Sequence, residues 1–269
     1  MRDEIVPESL RRKWEAMQSV RRANEVSLIR QHAQEDQDLA ELSTKAPRIP
    51  WDIFINQLRW DSGEHIAIIG PTGQGKTTLL ISLLPLHPYV AVFATKPKDA
   101  TMDSLIQQGY LRIERWQSID PQQFPRRVLW PDARDIDSDE KQRVVFHNAF
   151  KKIYREGGWT VVIDELWWIE QVLKLQKDVK MMLQQGRSLH LSLVMATQRP
   201  AWVSREIYSM PTHLFFFRTN DETDLRSISG VGWISADLIK RVVAHLDSHQ
   251  VLYANTRTGQ LIRTRCPGV

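Results

Sequence analysis

Two hydrophobic periods divide the chain. Between residues 8 and 42, Leu10, Trp14, Met17, Val20, Ala23, Val26 and Ile29 follow one another at three- to four-residue spacing, with charged residues between them and no glycine or proline. That spacing predicts a helix. Its charges nearly cancel, which suits a helix packed on its own domain or on a neighbouring subunit better than a nucleic-acid-binding arm. Lys45-Ala-Pro-Arg-Ile-Pro50 breaks the pattern and reads as a linker, giving a helical extension over residues 1–50 and a main domain over 51–269.

From Trp51 onward, short apolar runs alternate with helical stretches, and strands are predicted at 65–69, 89–94, 159–163, 190–197 and 213–218. Alternation of this kind predicts an α/β fold, a mostly parallel sheet with helices on both faces and functional loops at the carboxyl ends of the strands. Residues 250–265 carry β-rich flanks around Thr258-Gly259 and predict a C-terminal β-hairpin.

Composition narrows this picture only a little. At 269 residues, 42% hydrophobic and 25% charged, the chain has the balance of an ordinary globular protein with one main core. Lysine and arginine total 36 against 32 acidic residues, a net charge of +4 that permits a polyanionic partner without demanding one. One cysteine, Cys266, excludes a disulfide framework or a cysteine-based zinc site within one chain and fits a reducing cytoplasm. The charged N-terminal stretch lacks the apolar segment of a secretory signal, and no apolar run approaches the roughly 20 residues of a membrane-spanning helix.

Chemistry enters at Gly70. The predicted strand His65–Ile69 runs into Gly70-Pro71-Thr72-Gly73-Gln74-Gly75-Lys76-Thr77 and then into the helix-like Thr78–Leu84. This is G-x-x-x-x-G-K-[ST] in its required strand, loop and helix setting. Successive backbone N–H groups at a helix N-terminus aim at phosphate oxygens, and side chains at the glycine positions would obstruct them. Lys76 supplies a point charge to the β- and γ-phosphates, and the Thr77 hydroxyl is placed to ligate Mg²⁺. The pattern implies binding and hydrolysis of a nucleoside triphosphate, with ATP and Mg²⁺ the expected pair.

A second strand, Trp159–Ile163, ends in Asp164-Glu165, a Walker B pattern. A carboxylate at the strand tip reaches the metal, here Asp164, and the next one, Glu165, orients or deprotonates the attacking water. The strand at 190–197 ends in the polar Gln198-Arg199-Pro200. If it lies between the other two strands, Gln198 sits near the γ-phosphate and can report its presence.

With these motifs in place, residues from about Gly63 to Val231 resemble the FtsK/HerA superfamily of P-loop motor ATPases. GPTGQGKTT, VVIDE and above all GRSLHLSLVMATQRP followed by REIYSMPTHLFFFRTNDETD look like that family's nucleotide site, acidic strand, sensor strand and following strand. The resemblance implies a RecA-like core, nucleotide contacts from Gly70 through Thr78, the roles given above for Asp164 and Glu165, and Gln198 as sensor. It also implies a homo-oligomeric ring, pentameric or hexameric, that moves double-stranded DNA and docks on a portal or similar protein. Such rings complete each site with a cation from the neighbouring subunit. Arg187, where the family carries a basic residue before its sensor strand, is the candidate, with Arg205 and Arg218 behind it. The compact core suits a phage or mobile-element packaging or transfer motor, in the host cytoplasm if phage-encoded.

Lys96 and Lys98, after the second strand, are expected to face nucleotide, a neighbour or solvent. Two other functions compete. A small-molecule P-loop kinase needs an arginine-bearing lid, which the sequence does not display, and a glutamate directly after the metal-binding aspartate favours water as acceptor. A nucleotide-gated assembly or secretion ATPase acting on protein partners remains compatible with the mild charge.

Overall fold

The structure is a computed structural model that describes residues 27, 40–117, 119–132, 138–219, 221–228 and 234–267. The chain divides into two units, Met1–Lys45 and Ala46–Val269. In the first, Ser27 and residues 40–45 are helical, with Lys45 paired to Glu41 one turn back at 2.6 Å. The remainder of the helix predicted over 8–42 lies outside the described residues.

The second unit is built on a nine-stranded sheet: β1 Ile66–Ile69, β2 Val90–Phe93, β3 Leu111–Ile113, β4 Arg126–Leu129, β5 Thr160–Ile163, β6 Ser192–Thr197, β7 His213–Phe217, β8 Gln250–Asn255 and β9 Leu261–Arg265. Their spatial order is β3-β4-β2-β5-β6-β1-β7-β8-β9. The seven strands from β3 to β7 are parallel, and β8 and β9 close the edge as an antiparallel hairpin. The fold is therefore the mixed α/β, mostly parallel class read from the strand and helix alternation, hairpin included.

Central strands β1, β2, β5, β6 and β7 are buried along their full length. Their unbroken apolar runs reflect a sheet covered on both faces rather than one. On one face Ile66, Ile68, Val92, Val194 and Phe215 pack with Leu79 and Leu80 of helix α2 (Lys76–Leu83), with Phe54 of α1 (Trp51–Gln57) and with Met102 and Leu105 of α3 (Ala100–Gln107). On the other, Phe93 stacks on Phe146 and meets Phe150 at a tilt, both from α4 (Ser138–Glu156), with centroids 5.0 and 4.9 Å apart. The first face brings α2 under the end of β1, which positions the site described below.

Two features depart from the sequence reading. Residues 46–49, within the expected linker, are stitched to β9: Ile49 N donates to Arg263 O at 2.9 Å and Arg263 N to Pro47 O at 2.8 Å. The physical reason is the unpaired edge of β9, which offers its N–H and C=O groups to any extended segment alongside. Strands β3 and β4 were not anticipated, because Leu-Arg-Ile and Arg-Arg-Val-Leu carry arginines where a buried strand calls for apolar residues. Arg127 is nonetheless completely buried. Its guanidinium donates to the carbonyls of Gln117, Ile119 and Phe124 and lies over the rings of both Trp116 and Trp159, 4.9 and 4.6 Å from their centroids. Glu156 fixes both rings by accepting from their indole nitrogens at 3.0 and 2.9 Å.

Candidate nucleotide site

The site forms where three neighbouring strands, β5, β6 and β1, release their chains at the carboxyl edge of the sheet. β1 ends at Ile69, and Gly70 N donates to Thr197 O at 3.2 Å, tying the loop to the end of β6. A Cβ on Gly70 would lie 2.5 Å from Cβ of Phe217, so the approach of β7 admits only glycine. Gly73 and Gly75 hold φ of +79° and +99°, a left-handed backbone that side chains resist. Gly75 then serves as N-cap of α2 without any side-chain cap. The first amides of α2 are thus left for an external acceptor, and an anion is the natural one.

Lys76 is buried and donates to Pro71 O at 2.8 Å, folding back over its own loop. The Thr77 hydroxyl donates to Asp164 at 3.1 Å to either carboxylate oxygen, joining the start of α2 to the end of β5. Beside them the Thr72 hydroxyl donates to Gln198 Oε1 at 2.8 Å, and Gln198 Nε2 donates to Glu165 Oε2 at 3.2 Å. Because β6 lies between β1 and β5, Gln198 bridges the phosphate loop and the acidic pair. The condition set for Gln198 by the sequence is met in this topology.

Together these residues border a cleft of about 360 Å³, with Thr72, Gly73, Gly75, Lys76, Thr77 and Thr78 on one wall and Asp164, Glu165 and Gln198 on the other. Lys96 and His249 also reach it. Pro71 and Gln74 lie in the loop itself, Pro71 exposed and Gln74 half-buried, its carbonyl 3.3 Å from His249 Nδ1.

The electrostatics are those of a site short of positive charge. Burial pushes the Asp164 carboxyl up, against the pull of Lys96, Thr77 and Lys76. Burial and then the charge of Asp164 push Glu165 up in turn. Burial pushes the Lys76 ammonium down, opposed by both acids. A hard divalent cation between Thr77 and Asp164 would relieve the carboxylates, and a hydroxyl with a carboxylate is the donor set expected for Mg²⁺, which takes few protein ligands and completes its shell with phosphate and water. The residues present therefore fit Mg²⁺.

Arg187 sits elsewhere. It lies in the turn Gly186–Leu189 before β6, at the amino end of the strands and opposite the cleft, exposed to solvent. It cannot complete its own chain's site. Arg205 and Arg218 are also exposed, Arg218 just past the carboxyl end of β7. Lys98 is exposed and borders neither the cleft nor the cavity beside it.

Two parts of the site escaped sequence reasoning. One is the backing of the phosphate loop: Cys266 Sγ donates to Gly75 O at 3.3 Å, and His249, in a left-handed conformation at φ 60°, packs against Gln74. Nothing near His249 or Cys266 in the sequence signals this. The other is an adjoining cavity of about 500 Å³, bordered by Trp167, Trp168 and Trp202 and sharing Lys96, Glu165 and Gln198 with the cleft. The tryptophan pair Trp167-Trp168, one residue beyond Asp164-Glu165, was its available signal.

No protein-family model matches the chain. Among curated proteins, the DNA packaging ATPase P9 of Enterobacteria phage PRD1 is 22% identical over 214 residues, covering 76% of this chain and 88% of that protein. ATP-binding cassette sub-family D member 3 of Mus musculus is 28% identical over 125 residues, but the chain spans only 17% of its length. Among solved structures, the genome packaging NTPase B204 of Sulfolobus turreted icosahedral virus 2, in complex with sulfate, superposes with a TM-score of 0.57 at 16% identity, covering 77% of this chain and 98% of that one. The likeness establishes a shared P-loop NTPase fold. The chain is thus similar, in fold and along most of its sequence, to packaging ATPases, the group its motifs resemble. No helix among the described residues is long and apolar enough to cross a membrane.

Proposed function

We propose that this chain is an ATP-hydrolysing motor subunit that assembles into a homo-oligomeric ring and translocates double-stranded DNA, in phage genome packaging or mobile-element transfer. The observation that carries the reading is the continuous line Thr72, Gln198, Glu165, set beside the Thr77–Asp164 pair at the head of α2. Residues 51–269 form the ATPase domain and residues 1–50 its extension. In the host cytoplasm the ring docks on a portal or comparable protein.

Loop amides from Gly70 to Thr78 and the Lys76 ammonium hold the triphosphate tail. Thr77 and Asp164 hold Mg²⁺, which supplies charge neutralisation at the phosphates when bound. Lys76 exchanges its Pro71 carbonyl for phosphate oxygen. Glu165, with its proton affinity raised by burial and by Asp164, takes the proton of the attacking water. Gln198 keeps Glu165 in register with the loop and senses the γ-phosphate through Thr72. Arg187, at the far edge of the sheet, enters the neighbouring subunit's site, where it meets charge developing on the transferred phosphoryl group.

ATP turnover of the full chain, measured with and without double-stranded DNA, tests the proposal. Stimulation by DNA, lost in Glu165→Gln, is the expected result. A turnover that Glu165→Gln removes but that DNA leaves unchanged in an assembled ring would point to an assembly or secretion ATPase acting on protein.

A further inference from the structure

Lys96 occupies a position that the proposed roles above leave unused. It follows β2, whose last residue, Phe93, pairs with Ile163 at the end of β5, so its loop emerges next to Asp164 and Glu165. Only Lys96, Glu165 and Gln198, among the described residues, border both the nucleotide cleft and the tryptophan cavity.

The backbone of this loop is clamped while the ammonium is not. Trp130 Nε1 donates to Lys96 O at 2.8 Å and Gln142 Nε2 to Thr95 O at 3.1 Å. Gln142 is held in turn by Trp168 Nε1, which donates to its Oε1 at 3.1 Å. The Lys96 side chain is half exposed, at 53%, and its ion pair to Asp99 is long, 3.7 Å. Asp99 has separate work as N-cap of α3, accepting from Thr101 N at 2.9 Å. A pair at that distance with its lysine half exposed holds little, so the amine is free to exchange Asp99 for a stronger anion.

Lys96 borders the same cleft as Asp164, Glu165 and Lys76. A bound triphosphate brings more negative charge to a place that already holds two carboxylates, and Lys76 with one divalent cation does not balance the sum. Charge that develops on the transferred γ-phosphoryl group needs a further donor already aimed at it.

We propose that Lys96 is a second catalytic cation, supplied by the loop after β2, that leaves Asp99 to contact the γ-phosphate when a triphosphate occupies the cleft. The proposal rests on the reading of that cleft as the nucleotide site. It assigns Lys96 to the chemistry and Lys98, two residues on and facing solvent, to none of it.

Steady-state turnover of the full chain, together with direct binding of ADP and of ATP-γ-S, separates these roles. Lys96→Met is expected to lower kcat about 100-fold, to leave ADP affinity within about twofold, and to reduce the preference for ATP-γ-S over ADP about tenfold. Lys96→Arg restores part of kcat, and Lys98→Met matches the parent chain. Loss of the γ-phosphate preference with ADP binding intact is a change that a structural lysine does not produce. A Lys96→Met variant that turns over within threefold of the parent, while Lys76→Ala is inactive, overturns the proposal and leaves the site standing. If Lys76→Ala also binds and turns over like the parent, the nucleotide reading of the cleft falls, and the role of Lys96 with it.

Discussion

Thr72 and Gln198 lie 126 residues apart in the sequence and meet at 2.8 Å, the threonine hydroxyl donating to the amide oxygen. The same amide reaches Glu165 from its nitrogen side, at 3.2 Å. One side chain therefore joins the loop at Thr72 to the Glu165 carboxylate through a planar amide group.

Gln198→Ala should cut that link without emptying the cleft. Turnover is expected to fall about 100-fold, in the range seen when one preorganised polar group is removed from a reacting centre. Nucleotide affinity should stay within about threefold, since the loop amides and Lys76 supply most of the hold. Calorimetric titration alongside turnover checks both, and a loss of binding equal to the loss of rate would assign Gln198 to the ground state instead.

Lys76 and Glu165 should separate along the same axis. Lys76→Ala is expected to weaken ATP binding at least about tenfold, because a charge-assisted contact to phosphate is lost. Glu165→Gln should bind ATP as the parent does and hydrolyse it slower by roughly 10²–10⁴-fold, the usual worth of a general base. Equal binding defects in the two variants would contradict the division of labour.

Much of this site was legible in the sequence because its chemistry is local. The glycines, Lys76 and Thr77 are contiguous, and Asp164-Glu165 and Gln198 each stand where an apolar strand stops. What could not be read was the order of the strands, which decides that Gln198 falls between the loop and the acids. Strands β3 and β4 were hidden for a related reason. Arg127 is accommodated by Trp116 and three carbonyls from the stretch before β4 together with Trp159 from before β5, and no local pattern announces that the enclosure exists. His249 and Cys266 were silent because bracing a loop needs only shape and one weak donor.

Arg127 gives a test of that enclosure. Arg127→Leu leaves the carbonyls of Gln117, Ile119 and Phe124 without their donor, and a loss of about 3 kcal/mol in unfolding free energy is expected from unsatisfied buried acceptors. Urea unfolding followed by tryptophan fluorescence reads it directly. Nucleotide affinity of the folded fraction should be unchanged, because β4 lies on the far side of β2 from the cleft strands.

His65 sets an acid limit on stability. Burial pushes its pKa down to about 4, while Leu193 N donates to Nδ1 at 3.0 Å and Nε2 meets Leu183 O at 3.1 Å, an arrangement that holds the ring neutral. The unfolded chain takes up the proton near pH 6.5 and the folded chain only near 4, so the unfolded state binds more protons in between. Stability from this residue is complete above pH 6.5 and drains away as pH falls towards 4, by on the order of 3 kcal/mol. His65→Gln should flatten the stability profile over that window; a profile parallel to the parent's would assign the acid limb to other groups.

The brace behind the phosphate loop also has a consequence in time. Gly75 leans on a cysteine placed 191 residues later. At roughly 5–20 residues per second, a ribosome needs about 10 to 40 s to travel from one to the other. Throughout that interval the growing polypeptide holds Gly75 but lacks the Cys266 contact behind it. The loop therefore gains this contact only once the last strand of the sheet, β9, has been made.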